Sequence, residues 1–294
     1  MRKTFSLFLF FSLVFLPSSH AFTRSHFDAP ESFVADPETG SYYVSNMNGS
    51  PLAKDGNGYI SKISANGNLV IQKFIGGKSE PILNAPKGIL ILGHQLWVAD
   101  IDTVKVFDKE SGKLLRTIDA APLRAQFLND VTTDGTEIYV SDMLGDQIFK
   151  ITPAENDKVT VFKKGKELGN PNGLIFNPKT KSLMAVGFKS GEILEIDRRG
   201  RAHVLKKGLS GLDGVDYDNE GNLYVSSYEK GEIYKITFYG RGILTTFQSD
   251  LTTPSDISCD RKRNDLLVPS MRGNTVTTIY LLSQASQKGP ARNS

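Results

Sequence analysis

Cysteine is almost absent from this chain of 294 residues, since Cys259 is the only one. A single cysteine excludes an intrachain disulfide and a metal site built from several thiolates. Neither sign of charge dominates, because 35 Lys and Arg stand against 32 Asp and Glu. The sequence has no basic stripe with interleaved aromatic residues, so it does not favour a nucleic-acid partner.

Long apolar runs are also absent. A membrane-spanning helix needs a run of about 20 apolar residues, and the sequence has none of that length. The run from Phe5 to Leu16 is shorter; Arg2 and Lys3 precede it, and small residues follow it up to Ala21. This layout predicts a cleavable signal peptide over residues 1–21. We therefore expect an exported protein, periplasmic or secreted, with no stable membrane anchor after cleavage.

What the sequence does contain is one short pattern that occurs six times. A proline or leucine is followed by a polar residue, a small or acidic residue and an apolar strand. The six copies are Pro30-Glu31-Ser32, Pro86-Lys87-Gly88, Leu128-Asn129-Asp130, Pro171-Asn172-Gly173, Leu212-Asp213-Gly214 and Pro254-Ser255-Asp256. Their central residues lie 56, 42, 43, 41 and 42 positions apart. The first interval is long because of the segment Asn46–Gly58, whose Asn, Gly, Pro and Asp content predicts a loop.

Each copy continues with further alternating strands separated by turns rich in Gly or Asp. Four antiparallel strands in about 40 residues are typical of a propeller blade, whereas a β-sandwich has no reason to repeat one tripeptide at a nearly constant interval. We predict an all-β, six-bladed β-propeller with four-stranded antiparallel blades around a central channel, over residues 22–283. The sixth copy is one strand short, so a strand around Thr23 to Asp28 should close the ring. The segment 284–294 is predicted to be a flexible polar tail.

The innermost strands of a propeller run side by side along the channel, so the central residues of the six copies should form a ring. In blade order this polar ring reads Glu31, Lys87, Asn129, Asn172, Asp213 and Ser255. Two carboxylates and two amide oxygens in the ring suit a hard divalent cation such as Ca²⁺ or Mg²⁺. Asn and Asp before a strand are also common turn residues. Glu31 is a poor turn former at the equivalent place and favours the metal site.

The motifs around four ring residues resemble those of the family that contains senescence marker protein 30, gluconolactonase and squid-type diisopropylfluorophosphatase. The elements that carry the resemblance are Glu31 with Asp36-Pro37, Asn129-Asp130, Pro171-Asn172-Gly173-Leu174 and Leu212-Asp213-Gly214-Val215. The resemblance implies a divalent cation, Ca²⁺ first, held by Glu31, Asn129, Asn172 and Asp213. It also implies that Asp213 acts as the catalytic base or nucleophile in the hydrolysis of a small lactone or ester.

Three more residues are predicted to contact a substrate: Lys87, Asp130 and Ser255. The Lys87 ammonium could oppose a bound cation, pair with Glu31 or Asp130, point outward, or bind an anionic group. None of His26, His94 and His203 shares the ring position, so a histidine base in the channel is not expected.

Two functions remain open from the sequence. The first is a metal-dependent hydrolase that takes a small-molecule substrate at the channel. The alternative is a non-catalytic propeller, similar to those built from NHL repeats, that binds a ligand or a protein partner. We expect a monomer in either case. The Asn46–Gly58 loop should lie at one end of the channel, and the pattern leaves open which end.

Overall fold

The computed structural model describes residues 21–68 and 70–281. The predicted signal peptide up to residue 20 and the predicted tail 284–294 lie outside the described residues. The described chain forms six four-stranded antiparallel sheets. The prediction of an all-β, six-bladed propeller is therefore confirmed. The described helices are three single 3-10 turns at Ala121–Leu123, Pro153–Glu155 and Lys166–Leu168, and none is long or apolar enough to cross a membrane.

The strands fill the blades in chain order, apart from β1 (Thr23–Ser25), which completes the last blade as predicted. Blade 1 consists of β2 (Pro30–Ala35), β3 (Tyr42–Asn46), β4 (Tyr59–Ile63) and β5 (Val70–Gly76). Blade 2 consists of β6 (Pro86–Leu92), β7 (Gln95–Asp100), β8 (Thr103–Asp108) and β9 (Leu114–Asp119). Blade 3 consists of β10 (Leu128–Thr133), β11 (Ile138–Asp142), β12 (Gln147–Thr152) and β13 (Lys158–Lys164).

The second half of the ring repeats this arrangement. Blade 4 consists of β14 (Pro171–Asn177), β15 (Ser182–Gly187), β16 (Ile193–Ile196) and β17 (Ala202–Lys206). Blade 5 consists of β18 (Leu212–Tyr217), β19 (Leu223–Ser227), β20 (Glu232–Ile236) and β21 (Leu244–Gln248). Blade 6 consists of β22 (Ser258–Asp260), β23 (Asp265–Ser270), β24 (Thr275–Tyr280) and β1.

The ring is closed without a covalent link, because β1 supplies the outermost strand of blade 6. It pairs with β24 in antiparallel register, with Thr23 opposite Thr277. The strand is shorter than the predicted Thr23 to Asp28 and ends at Ser25. His26 follows with φ 72°, a left-handed conformation that does not continue a strand.

A β-bulge at the start of five innermost strands explains why the ring residues face the channel. In blade 1 the pairing with β3 jumps from Pro30 to Phe33, and blades 2 to 5 show the same jump. The ring residue and the residue after it are therefore left out of the regular ladder. The strands crowd together here, since a Cβ on Gly214 would lie 2.2 Å from the Ile257 nitrogen. Gly at this position therefore permits the close approach.

We predict that Phe27→Ala destabilises the closed ring strongly. Phe27 is 1% exposed and packs in one cluster with Phe33 of blade 1 and Leu267 of blade 6. Emptying such a site should lower the free energy of unfolding by about 3–5 kcal/mol, measured by chemical denaturation. Phe238 is 77% exposed, so the control Phe238→Ala should change it by less than about 0.5 kcal/mol. Equal effects of the two substitutions would contradict this account of closure.

Candidate metal centre and channel cavity

One cavity of about 560 Å³ opens at the end of the channel where the innermost strands begin. Five residues of the polar ring line it: Glu31, Lys87, Asn129, Asn172 and Asp213. We call it the ring-end cavity. The sixth ring residue, Ser255, does not line it, and its hydroxyl donates a hydrogen bond of 3.1 Å to the Pro30 carbonyl. Five residues far apart in the sequence are thus brought to one place, whereas Ser255 joins two strands.

Four buried oxygens at this cavity have no hydrogen-bond partner within the described chain. They are Glu31 Oε2, Asn129 Oδ1, Asn172 Oδ1 and Asp213 Oδ1. Buried polar atoms are nearly always satisfied, and each one left unpaired costs about 1–3 kcal/mol. No other residue that lines this cavity has such an atom among the described residues. Four unsatisfied acceptor oxygens around one space therefore point to a ligand that donates to them or is coordinated by them.

The donor set fits a hard divalent cation. Carboxylate and amide oxygens are the ligands that Ca²⁺ and Mg²⁺ prefer, and two carboxylates match a double positive charge. No group of three His, Cys, Asp or Glu side chains with metal-binding geometry occurs in residues 21–68 and 70–281. A cation at the ring-end cavity would therefore depend on the two asparagines as much as on the two acids.

The two ring carboxylates are held in an environment that disfavours their charge. Burial raises the pKa of Glu31 well above its usual range, and the Asp256 and Asp213 carboxylates raise it further, against the opposing effect of Lys87. Burial and Asp256 likewise raise the pKa of Asp213. A cation between the two acids would reverse this effect, because it favours the ionised form of both.

Lys87 is fully buried and lies at the cavity rather than on the outer surface. Its ammonium donates a 2.9 Å hydrogen bond to the Ala85 carbonyl and lies 4.4 Å from the centre of the Phe127 ring. It forms no ion pair with any described residue, Glu31 and Asp130 included. Burial lowers the pKa of Lys87 to about 8, although the Glu31 and Asp100 carboxylates act in the opposite sense. One cation therefore borders the four oxygens without being neutralised by a direct contact.

Asp130 does not lie at the ring-end cavity. It lines a separate space of about 290 Å³ at the opposite end of the channel, together with Asp256. Its carboxylate accepts 2.6 Å hydrogen bonds from the Val131 and Leu174 backbone amides. The residue after the ring position thus faces the other end, and here Asp130 ties two neighbouring blades together.

The insertion in blade 1 lies over the ring end, which answers the question left open by the sequence. Gly49 and Pro51, both within the Asn46–Gly58 loop, line the ring-end cavity. A hydrogen bond of 2.9 Å from the Asn48 side-chain amide to the Asn57 backbone carbonyl links the two ends of the loop. Lys54 adds a 2.5 Å ion pair with Asp102 of blade 2. The insertion therefore forms part of the cavity wall.

A second set of cavity residues was not predicted from the sequence. Directly after the second strand of each blade comes a large apolar or aromatic residue: Met47, Ile101, Met143, Phe188, Tyr228 and Met271. All of them except Ile101 line the ring-end cavity, and we call these five the collar. Ile101 is buried in a cluster with Met47 and Ala85 instead. The signal was present, since each collar residue lies four positions after a large apolar or aromatic residue of the second strand. These residues are Tyr43, Tyr139, Met184, Tyr224 and Leu267.

Comparisons with known proteins support the fold. No known family model and no curated protein matches the sequence. Among solved structures, a virginiamycin B lyase from Staphylococcus aureus is similar with a TM-score of 0.62 at 14% identity, over 91% of this chain and 97% of that one. A protein of unknown function from Bacteroides thetaiotaomicron is similar with a TM-score of 0.66 at 14% identity, over 86% of this chain and 69% of that one.

A chain in the complex of nidogen and laminin gives a TM-score of 0.60 at 18% identity, over 76% of this chain and 80% of that one. These similarities show a six-bladed β-propeller shared by a lyase and by a protein found in a protein–protein complex. At such identities the likeness concerns the fold alone. The family named from the sequence motifs is not shown by these comparisons.

The buried carboxylates of the channel predict an unusual dependence of stability on pH. The pKa values of Glu31, Asp130 and Asp213 are raised by burial, and that of Asp256 is raised to about 7 by burial. Groups with raised pKa values stabilise the fold below their unfolded pKa of about 4, and this contribution is lost as the pH rises through the folded values. Without divalent cations, the thermal midpoint should fall between about pH 5 and about pH 8.

Asp256→Asn should reduce this fall, and Asp250→Asn, at an exposed surface position, should not. Scanning calorimetry in a chelating buffer measures both. A midpoint that rises over the same pH interval would contradict the electrostatic account of the channel.

Proposed function

We propose that the protein is a divalent-metal-dependent hydrolase of a small lactone or ester, similar in activity to the gluconolactonase group. The observation that supports this most is the set of four partnerless oxygens at one cavity, on Glu31, Asn129, Asn172 and Asp213. Calcium is the cation that we propose first, because the donors are all oxygens and the set mixes acids with amides. Export after removal of residues 1–21 and a monomeric state belong to the same proposal.

The proposed chemistry assigns separate roles to the residues at the cavity. A divalent cation held by the four oxygens would supply the polarisation of a bound carbonyl. Asp213 would take a proton from the attacking water as the new C–O bond forms, and the ring or leaving oxygen would receive a proton when the acyl C–O bond breaks. Lys87, which has no carboxylate partner among residues 21–68 and 70–281, would offset negative charge on the reacting oxygen or on the carboxylate product.

The charges of the ring residues at the ring-end cavity agree with this assignment. Glu31 and Asp213 as carboxylates contribute two negative charges, which a divalent cation would cancel. The Lys87 ammonium would remain, at a site from which water is largely excluded. Such a site favours a substrate that is neutral when it binds and acquires negative charge during the reaction, because charge interactions are strong in a buried environment.

Lyase chemistry like that of the staphylococcal neighbour has less support. A histidine-to-alanine variant of that lyase is catalytically inactive. No histidine lines the ring-end cavity in the described chain.

A second candidate function is a propeller that binds without catalysis. The observation in its favour is the buried Lys87 ammonium beside the ring, since a cation at this place opposes a second one by charge repulsion. In that case the four oxygens would hold a structural ion or a ligand donor group. The metal titration and the activity assay below separate the two functions.

Calcium should bind to the purified protein with one site per chain, as measured by isothermal titration calorimetry. Glu31→Gln and Asp213→Asn each remove one negative charge from the site and should weaken binding at least about tenfold, which corresponds to ~1.4 kcal/mol. Glu110→Gln is the matched control, because this side chain is 54% exposed and pairs with Lys62 away from the ring-end cavity. Absence of calcium, magnesium and manganese binding to the wild type would rule out the hydrolase in this form.

A panel of lactones and aryl esters assayed with the bound cation tests catalysis itself. Hydrolysis lost in Asp213→Asn and retained in the Glu110→Gln control would support the enzyme. Binding of the cation without turnover of any substrate in the panel would favour the non-catalytic propeller.

Lys87→Met should raise the affinity for the cation, because it removes a neighbouring positive charge and keeps most of the side-chain volume. The same substitution should lower kcat more than it raises KM, since the ammonium is proposed to act on charge that develops during the reaction. Calorimetry and steady-state kinetics on one preparation give both quantities. An unchanged or weaker cation affinity would show that Lys87 does not act on the metal site.

A further inference from the structure

We infer that the ligand of the ring-end cavity carries an apolar alkyl or aryl group, which the collar binds while the reacting carbonyl lies at the polar floor. This inference rests on the proposed hydrolase function for the identity of the reacting group. The collar itself is independent of that function, because its residues lie outside the set of four oxygens.

The cavity is divided by chemistry along the channel axis. Its floor consists of the four oxygens and the Lys87 ammonium, and its wall is formed by the collar, with Phe127, Ala29 and Pro51 contributing further apolar surface. Both sets arise from the same rotational symmetry. The floor residues begin the innermost strands, whereas the collar residues follow the second strands. A ligand that reaches the floor must therefore pass between apolar side chains.

The collar side chains are suited to an apolar group of variable shape. Three of the five methionines in the sequence belong to the collar: Met47, Met143 and Met271. Methionine is unbranched and polarisable, so it adapts to irregular apolar surfaces. Phe188 and Tyr228 add aromatic faces, with ring centroids 6.2 Å apart. Met143, Phe188, Tyr228 and Met271 are only partly buried, which leaves surface for a ligand to cover.

The collar offers few hydrogen bonds to a polyhydroxylated ligand, because Tyr228 is its one residue with a polar side-chain group. The other polar side chains at the wall are those of Arg272 and Asn274. Asn274 already accepts a 2.9 Å hydrogen bond from the Ala29 amide, and Arg272 lies 5.7 Å from the centre of the Tyr228 ring. Hydroxyl groups buried without partners weaken binding. A sugar lactone would bury several such groups against the collar, whereas an alkyl chain would bury none.

Size agrees with this assignment. A space of about 560 Å³ falls within the usual range of roughly 300–1,000 Å³ for sites that enclose a drug-sized molecule. A small lactone ring at the floor would leave the collar uncovered, and an attached chain would fill it.

Binding of 2-alkylcyclopentanones, from methyl to octyl, tests the inference without any hydrolysis, because a ketone presents a carbonyl but no cleavable acyl C–O bond. In calorimetric titrations with calcium present, affinity should rise about threefold to fourfold for each methylene that the collar buries. Phe188→Ala and Met143→Gln should reduce the affinity for the octyl compound and leave that for the methyl compound nearly unchanged. Phe238→Ala, an exposed aromatic position away from the cavity, should leave the whole series unchanged.

Hydrolysis of γ-lactones of increasing alkyl length, compared with glucono-δ-lactone, separates this inference from the proposed function. Turnover that rises with chain length, together with the binding series, supports both. Turnover of gluconolactone with no chain-length dependence in binding or rate overturns the inference and leaves the hydrolase standing. A chain-length dependence of binding that the collar variants remove, with no lactone hydrolysed, supports the apolar ligand and overturns the hydrolase. Thermal midpoints of the variants confirm that they are folded.

Discussion

The same β-bulge at the start of five innermost strands determines where the polar side chains of this propeller point. At each bulge the ring residue and the residue after it leave the regular ladder, and the ring residue turns toward the ring-end cavity. Ring closure by β1 fixes the six innermost strands around a common axis. The glycines that follow three ring residues allow the strands to approach this axis closely. Glu31, Asn129, Asn172 and Asp213 therefore meet because the backbone repeats.

The electrostatic state of the channel follows from the close placement of these side chains. Two ring carboxylates at the ring-end cavity and two further aspartates, Asp130 and Asp256, toward the opposite end of the channel are all buried, and burial with repulsion between nearby carboxylates raises their pKa values. Lys87 is the nearby cation, yet its ammonium is held by a carbonyl and an aromatic face rather than by a carboxylate. Burial disfavours the charged forms of the ring carboxylates, and a divalent cation would favour them, which is the physical basis of the proposed metal site.

Sequence reasoning was sufficient for the fold and for five of the six ring residues, because both depend on a repeat that the period of about 42 residues reveals. It did not give the direction of Asp130, since a bulge decides which of two neighbouring side chains faces each end of the channel. It also did not place Ser255, whose hydroxyl bonds to the Pro30 carbonyl across the blade 6 to blade 1 junction. The collar was not predicted, because the candidate site residues were chosen for their polar side chains. Its members, such as Phe188 and Tyr228, nevertheless repeat as regularly as the ring residues.

A crystal structure of the protein grown with calcium tests the central claim most directly. The account predicts one ion at the ring-end cavity, with oxygens of Glu31, Asn129, Asn172 and Asp213 about 2.3–2.6 Å from it. Water or a ligand should complete its coordination, and the collar should surround the open side. A cavity without an ion at saturating calcium, or an ion bound elsewhere while these four oxygens contact only water, would contradict the account.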